Sequence, residues 1–150
     1  MRVIIASDHA GRQLRLELVK LLQEKGVEYV DYGPDAPDSV DYPDFASRVS
    51  LAVQAGEAPL GVLVCATGLG MSMVANKYRG IRAALCHTEF EARYSRAHND
   101  ANVLCLGQRV TGEGVARGIL ELFLATPFEG GRHEKRVQKI RDVETHQARG

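Results

Sequence analysis

The sequence predicts an α/β fold built on a five-stranded parallel sheet, and two observations lead there. Short apolar runs recur at residues 2–6, 27–31, 60–65, 81–86 and 102–106, with the length of strands buried on both faces. The segments between them carry apolar residues at helical spacing or have loop composition, and that alternation points to strand–helix–strand units with helices on both faces of the sheet.

Each element follows in order. Val3-Ile4-Ile5-Ala6 is the first strand, and Leu14, Leu18, Leu21 and Leu22 mark one face of a helix that Gly26 ends. After the second strand, Gly33-Pro34-Asp35-Ala36-Pro37-Asp38 is a loop by its proline and aspartate content. Phe45, Val49, Ala52 and Val53 mark a second helix, and the third strand runs into Cys65-Ala66-Thr67-Gly68-Leu69-Gly70, after which Met71 to Lys77 continues as helix. Two further strands follow. Beyond Pro127 and Gly130-Gly131 the tail from Arg132 to Gly150 reads as a polar helix with sparse apolar positions, Val137, Ile140 and Val143. It is either a solvated helix or one that packs on a second subunit. Residues 1–150 form a single domain, with 132–150 its helical tail.

Composition narrows the function. Nineteen basic and nineteen acidic residues cancel, so no global field gathers nucleic acid or an anionic membrane. No run approaches the roughly 18 apolar residues that span a bilayer, and the amino terminus enters a strand without a secretory pattern. A cytoplasmic protein is expected. Cys65, Cys86 and Cys105 are odd in number and lack the paired spacing of a zinc site, so they read as free thiols, with no metal and no cofactor expected.

The residues with chemical potential gather after the strands. Cys65 stands at a strand's carboxyl end, where open α/β sheets bind ligands, and a glycine turn aims backbone N–H groups there. Ser7-Asp8-His9-Ala10-Gly11 brings an acid and an imidazole to the same edge, although Asp8 is equally a helix N-cap candidate. Arg109 follows the fifth strand. His98-Asn99-Asp100 precedes that strand, so His98 closes a helix and approaches the site only from a neighbouring edge or another subunit. Arg132 and Arg136, four apart and with His133 between them, suit a phosphate clamp or a solvated face. Cys86 and Cys105 read as core residues, and His87 and His146 have no role.

Together these motifs resemble the ribose-5-phosphate isomerase B family, also called the RpiB/LacAB sugar-phosphate isomerases. The resemblance runs from Ser7-Asp8-His9-Ala10-Gly11 through Asp41-Tyr42-Pro43-Asp44-Phe45-Ala46, Cys65-Ala66-Thr67-Gly68-Leu69-Gly70, Ala75-Asn76-Lys77, Arg82-Ala83-Ala84, His98-Asn99-Asp100-Ala101-Asn102 and Gly107-Gln108-Arg109 to the tail arginines. It implies a Rossmann-like three-layer α/β/α sandwich. It also implies a homodimer or dimer of dimers with active sites at the interface, and interconversion of D-ribose 5-phosphate and D-ribulose 5-phosphate through a cis-enediolate.

Carried over by residue, the resemblance makes Cys65 the general base. Members without this cysteine carry a glutamate just after the second glycine, where this chain has Met71. His98 would open the furanose ring, assisted by Asp8, and Asn99 would hold sugar hydroxyls or the enediolate. Thr67 and the backbone of Ala66, Gly68, Leu69 and Gly70 would stabilise the enediolate oxygens. His9, Arg109, Arg132 and Arg136 would hold the phosphate or the sugar near it, some from a second chain. A six-carbon sugar phosphate, such as allose 6-phosphate or galactose 6-phosphate, would use the same residues, and a non-catalytic sugar-phosphate binding module would keep the fold without proton exchange. A cysteine phosphatase would need an arginine at the position of Met71.

Overall fold

The computed structural model describes residues 1–147, so the last three positions of the expected 132–150 tail lie outside the described residues. Along the chain run β1 (Arg2–Ser7), α1 (Arg12–Glu24), β2 (Glu28–Asp31), α2 (Tyr42–Gln54), β3 (Leu60–Cys65) and α3 (Leu69–Ala75). They are followed by β4 (Ala83–Leu85), α4 (Glu89–Ala97), β5 (Val103–Gly107), α5 (Glu113–Ala125) and α6 (Arg132–Gln147). The five strands form one sheet in the order β2-β1-β3-β5-β4, and every pair is parallel.

Strand side chains alternate between two apolar layers because successive residues face opposite sides of a sheet. Val3, Ile5, Val62, Val64, Leu104 and Leu106 meet Leu14, Leu18 and Leu22 of α1 and Ile119, Leu120 and Phe123 of α5 on one face. Ile4, Ala6, Leu63, Cys65, Val103 and Cys105 meet Val49 and Val53 of α2 and Met71 of α3 on the other. The expected three-layer α/β/α sandwich is therefore present. Strand order reverses between β1 and β3, so the crevice at their carboxyl ends is where such sheets take ligands.

Three local expectations shift. The helix expected from Met71 to Lys77 begins two residues earlier, at Leu69, because Gly68 adopts φ 78° and turns the chain directly into it. The fourth strand is only three residues long, since the Arg82 N–H is taken at 2.8 Å by the Asn102 side chain and the Gly80 carbonyl accepts from the Asn102 amide at 2.8 Å. Asp8 is not a helix N-cap: its Oδ1 accepts the Gly11 N–H at 2.9 Å and closes the turn ahead of α1, whose own cap is Gly11.

The tail helix is better anchored than its sparse apolar pattern suggests. Val137 and His133 are buried, Arg141 Nη2 stands 3.8 Å from Asp100 Oδ2, and Glu144 accepts the Gly80 N–H at 3.0 Å. Ile140 and Val143 remain exposed.

Candidate active site

Backbone bonds join three strand ends into one edge. Asp8 N–H donates to the Val64 carbonyl at 3.1 Å, Gln108 N–H to Cys65 at 2.9 Å and Arg109 N–H to Ala66 at 3.0 Å. Asp8 and His9 from β1, the Cys65–Gly70 turn from β3 and Arg109 from β5 are thereby brought together as the sequence predicts.

Within that edge the glycine turn is shaped around the thiol. Gly68 occupies the left-handed region at φ 78°, and a Cβ there would stand 2.5 Å from Leu85 Cδ1 and 2.9 Å from the Leu106 carbonyl carbon. This position therefore admits only glycine. The turn points the Gly68 N–H at Cys65 Sγ, 3.0 Å away, a donor suited to a sulfur carrying negative charge. Burial pushes Cys86 up to about 11, against a smaller lowering by the Ser95 hydroxyl, and burial raises Cys105 as well. They are inert core residues, as expected. Thr67 is exposed beside Cys65, and its Oγ1 accepts the Leu69 N–H at 3.3 Å.

Two neighbours complete this edge. Val40 N–H donates to His9 Nδ1 at 3.2 Å, so Nδ1 is the accepting ring nitrogen. The Tyr42 ring lies on Gly70, where a Cβ would stand 2.5 Å from Cζ. Sequence reasoning gave Tyr42 no role, although the Asp41-Tyr42-Pro43 motif that starts α2 was the signal available.

His98, Asn99, Arg132 and Arg136 do not join this group. The Gly61 N–H bonds the Asn102 carbonyl at 2.9 Å, so the His98–Asn102 segment lies at the amino end of the strands while Cys65 lies at the carboxyl end. Five residues of strand separate the two levels, about 17 Å at 3.3 Å per residue. His98 instead stacks on His133, with ring centroids 4.0 Å apart and planes 12° apart. Arg132 and Arg136 share the first turns of α6 with His133. The chain thus carries two clusters: Cys65 with Asp8, His9 and Arg109 at one edge, and His98 stacked on His133 beside Arg132 at the other.

The amino-edge cluster also gathers a candidate metal ligand set. His98, Glu129 and His133 bring ligand atoms within 4.8 Å of one another, because the connection from α5 to α6 returns beside the end of α4. The fit is poor. Stacked rings present nearly parallel lone pairs instead of convergent ones, and Arg132 Nε stands 3.5 Å from His133 Nε2, where its charge opposes a cation.

Comparison with known proteins agrees with this architecture. A profile of the Ribose/Galactose Isomerase family matches residues 3–140. Ribose-5-phosphate isomerase B of Escherichia coli is 45% identical over 143 residues, covering 95% of this chain and 96% of that protein. The structure of the Clostridium thermocellum ribose-5-phosphate isomerase B superposes with a TM-score of 0.96 at 47% identity, over 98% of this chain and 99% of that one. The Mycoplasma genitalium enzyme of the same name, solved with bound ribulose-5-phosphate, superposes with a TM-score of 0.92 at 42% identity over 96% of each chain. No helix among the described residues is long and apolar enough to cross a membrane. With a match over nearly all its length and a shared fold, this chain belongs to the ribose/galactose isomerase family.

Proposed function

We propose that the chain interconverts D-ribose 5-phosphate and D-ribulose 5-phosphate as an aldose–ketose isomerase, in an active site shared by two copies of the chain. The observation that carries this reading is the Gly68 N–H held 3.0 Å from Cys65 Sγ at a strand end flanked by Asp8, His9 and Arg109. The reaction needs a base beside a carbon-bound proton, donors for the developing enediolate and a separate acid to open the ring.

In the proposed sequence His98 from the second copy protonates the ring oxygen as the furanose opens, with Asp8 as its partner. Cys65, as thiolate, takes the proton from C2 of the aldose and returns it to C1. The N–H groups of residues 66–70 and the Thr67 hydroxyl hold the enediolate oxygens, and Asn99 holds sugar hydroxyls. His9 and Arg109 meet the phosphate together with Arg132 and Arg136 of the second copy. Binding at this remote, non-reacting group fixes the reacting carbons. The reading requires a homodimer, which would make each edge of one chain a half-site and bring the amino-edge half-site of one copy against the carboxyl edge of the other. The activity would place the protein in the pentose phosphate pathway, in the cytoplasm.

Conversion of ribose 5-phosphate by the purified chain in chelator tests this, with allose 6-phosphate and galactose 6-phosphate in parallel. Fast turnover of the pentose is expected. Turnover confined to a hexose phosphate would overturn the substrate, and binding without proton exchange at C2 would overturn the activity.

A further inference from the structure

We propose that Asp100 is a positioning residue that locks the His98–Asn99 turn and helix α6 into one unit, a role that rests on the reading of His98, Asn99 and the tail arginines given above. The inference starts from how α4 ends. Asp100 N–H donates to the Arg96 carbonyl at 3.1 Å and Ala101 N–H to the Ser95 carbonyl at 2.9 Å, a nested pair one residue wider than the one that commonly closes a helix around a left-handed residue.

Helices α1 and α2 end in the narrower pair and place glycine at the left-handed position. Gly26 has φ 65° before the Val27-to-Leu22 bond, and Gly56 has φ 79° before the Glu57-to-Ala52 bond. At α4 the left-handed residue is Asp100, at φ 47°, and among the described residues it is the one non-glycine with positive φ. Aspartate tolerates this conformation less well than glycine, so its side chain must supply something a glycine would not.

What it supplies is a shared anion. Arg82 Nη2 stands 3.0 Å from Asp100 Oδ2 and Arg96 Nη1 3.2 Å from Oδ1, with those two arginine side chains only 13% and 15% exposed. Arg141 of α6 approaches Oδ2 at 3.8 Å. Arg82 also donates to the Asn99 carbonyl at 3.1 Å and to the Asp100 carbonyl at 2.7 Å. Three guanidiniums from three segments thus meet one carboxylate, directly after the two residues assigned to ring opening and sugar binding. The α6 guanidinium belongs to the helix that carries Arg132 and Arg136. The acid and the phosphate arm are thereby offered to the second copy as a single piece.

Asp100→Gly is the discriminating variant, because it improves the helix end and removes only the carboxylate, while the Arg82 bonds to backbone carbonyls remain. The expected protein still unfolds cooperatively, at a lowered temperature because three guanidiniums lose their shared anion, while its kcat on ribose 5-phosphate falls about tenfold, its KM rises and the His98 ring signals in an imidazole ¹⁵N spectrum shift. Arg141→Ala, which cuts only the α6 tie, is expected to raise KM about fivefold with kcat kept within about twofold of wild type. A folded Asp100→Gly protein with wild-type kcat and KM overturns the proposal, as does Arg141→Ala with unchanged KM. Should Asp100→Gly fail to fold, Arg141→Ala decides alone. Should the wild-type chain not isomerise ribose 5-phosphate, the functional reading fails separately, and the His98 ring signals still decide: a shift in Asp100→Gly supports the lock and unchanged signals overturn it.

Discussion

The Gly68 N–H points at the sulfur of Cys65 from 3.0 Å, and this contact sets Cys65 apart from the two cysteines buried elsewhere in the core. Removal of the sulfur should therefore remove the chemistry and leave the pocket. Cys65→Ala is expected to lower kcat by roughly 10²–10⁴-fold, with sugar-phosphate binding by calorimetry retained. Full activity in that variant would dismiss the thiolate mechanism.

Gly68 itself should tolerate no side chain. An alanine would be strained at φ 78° and would press on Leu85 and the Leu106 backbone, a cost of at least about 2 kcal/mol. A clear drop in melting temperature together with loss of turnover is expected for Gly68→Ala. Wild-type stability and turnover would contradict the geometry described for the turn.

How much of this was legible in the sequence depends on the range of the interactions. The strands, the helix faces marked by Leu14, Val49 and their neighbours, and the grouping of Asp8, His9, Cys65 and Arg109 follow from periodicity and from the shared polarity of parallel strands. Met71 marked the chain as the cysteine type only through family resemblance. The shortened β4 was not legible, because it depends on Asn102 bonding Arg82 and Gly80 across the sheet end. The meeting of His98, Glu129 and His133 was equally hidden, since a contact between a helix end and a segment some thirty residues later leaves no periodic trace. Asp100 stands inside a sequence motif, yet its left-handed backbone and three arginine partners appear only in three dimensions.

The paired tail arginines are a separable prediction. Arg132→Ala and Arg136→Ala should each raise KM for the sugar phosphate roughly 10- to 100-fold, the range for losing one charge-assisted bond, with a smaller change in kcat. Unchanged kinetics would return both to a solvated helix face.

Acid should weaken the amino-edge half-site. His133 is buried, and burial first, then the neighbouring His98, Arg132 and Arg136, holds its pKa below the ordinary 6.5, with Glu129 opposing. A folded-state pKa below the unfolded one means that the unfolded chain binds the proton first. Stability is thus fully present above about pH 6.5 and declines as pH falls through that value toward the lowered one. The melting temperature is expected to drop between neutral pH and pH 5.5, and to drop less in His133→Gln. An equal drop in both proteins would remove His133 from the effect.

His98 should act on the ring and not on the carbon-bound proton. His98→Asn is expected to lose far more activity on the furanose than on an acyclic sugar phosphate. Equal losses on both would contradict a ring-opening role.

In the proposed active site a second copy joins the two half-sites, which lie about 17 Å apart along the strands of one chain. The direct measurement is to mix Cys65→Ala with His98→Asn, let subunits exchange and assay ribose 5-phosphate turnover. A mixed dimer holds one site with both residues intact, so an equal mixture should recover up to about one quarter of wild-type activity from two nearly inactive proteins. No recovery, with mixed dimers demonstrated by differential tagging, would contradict a shared site.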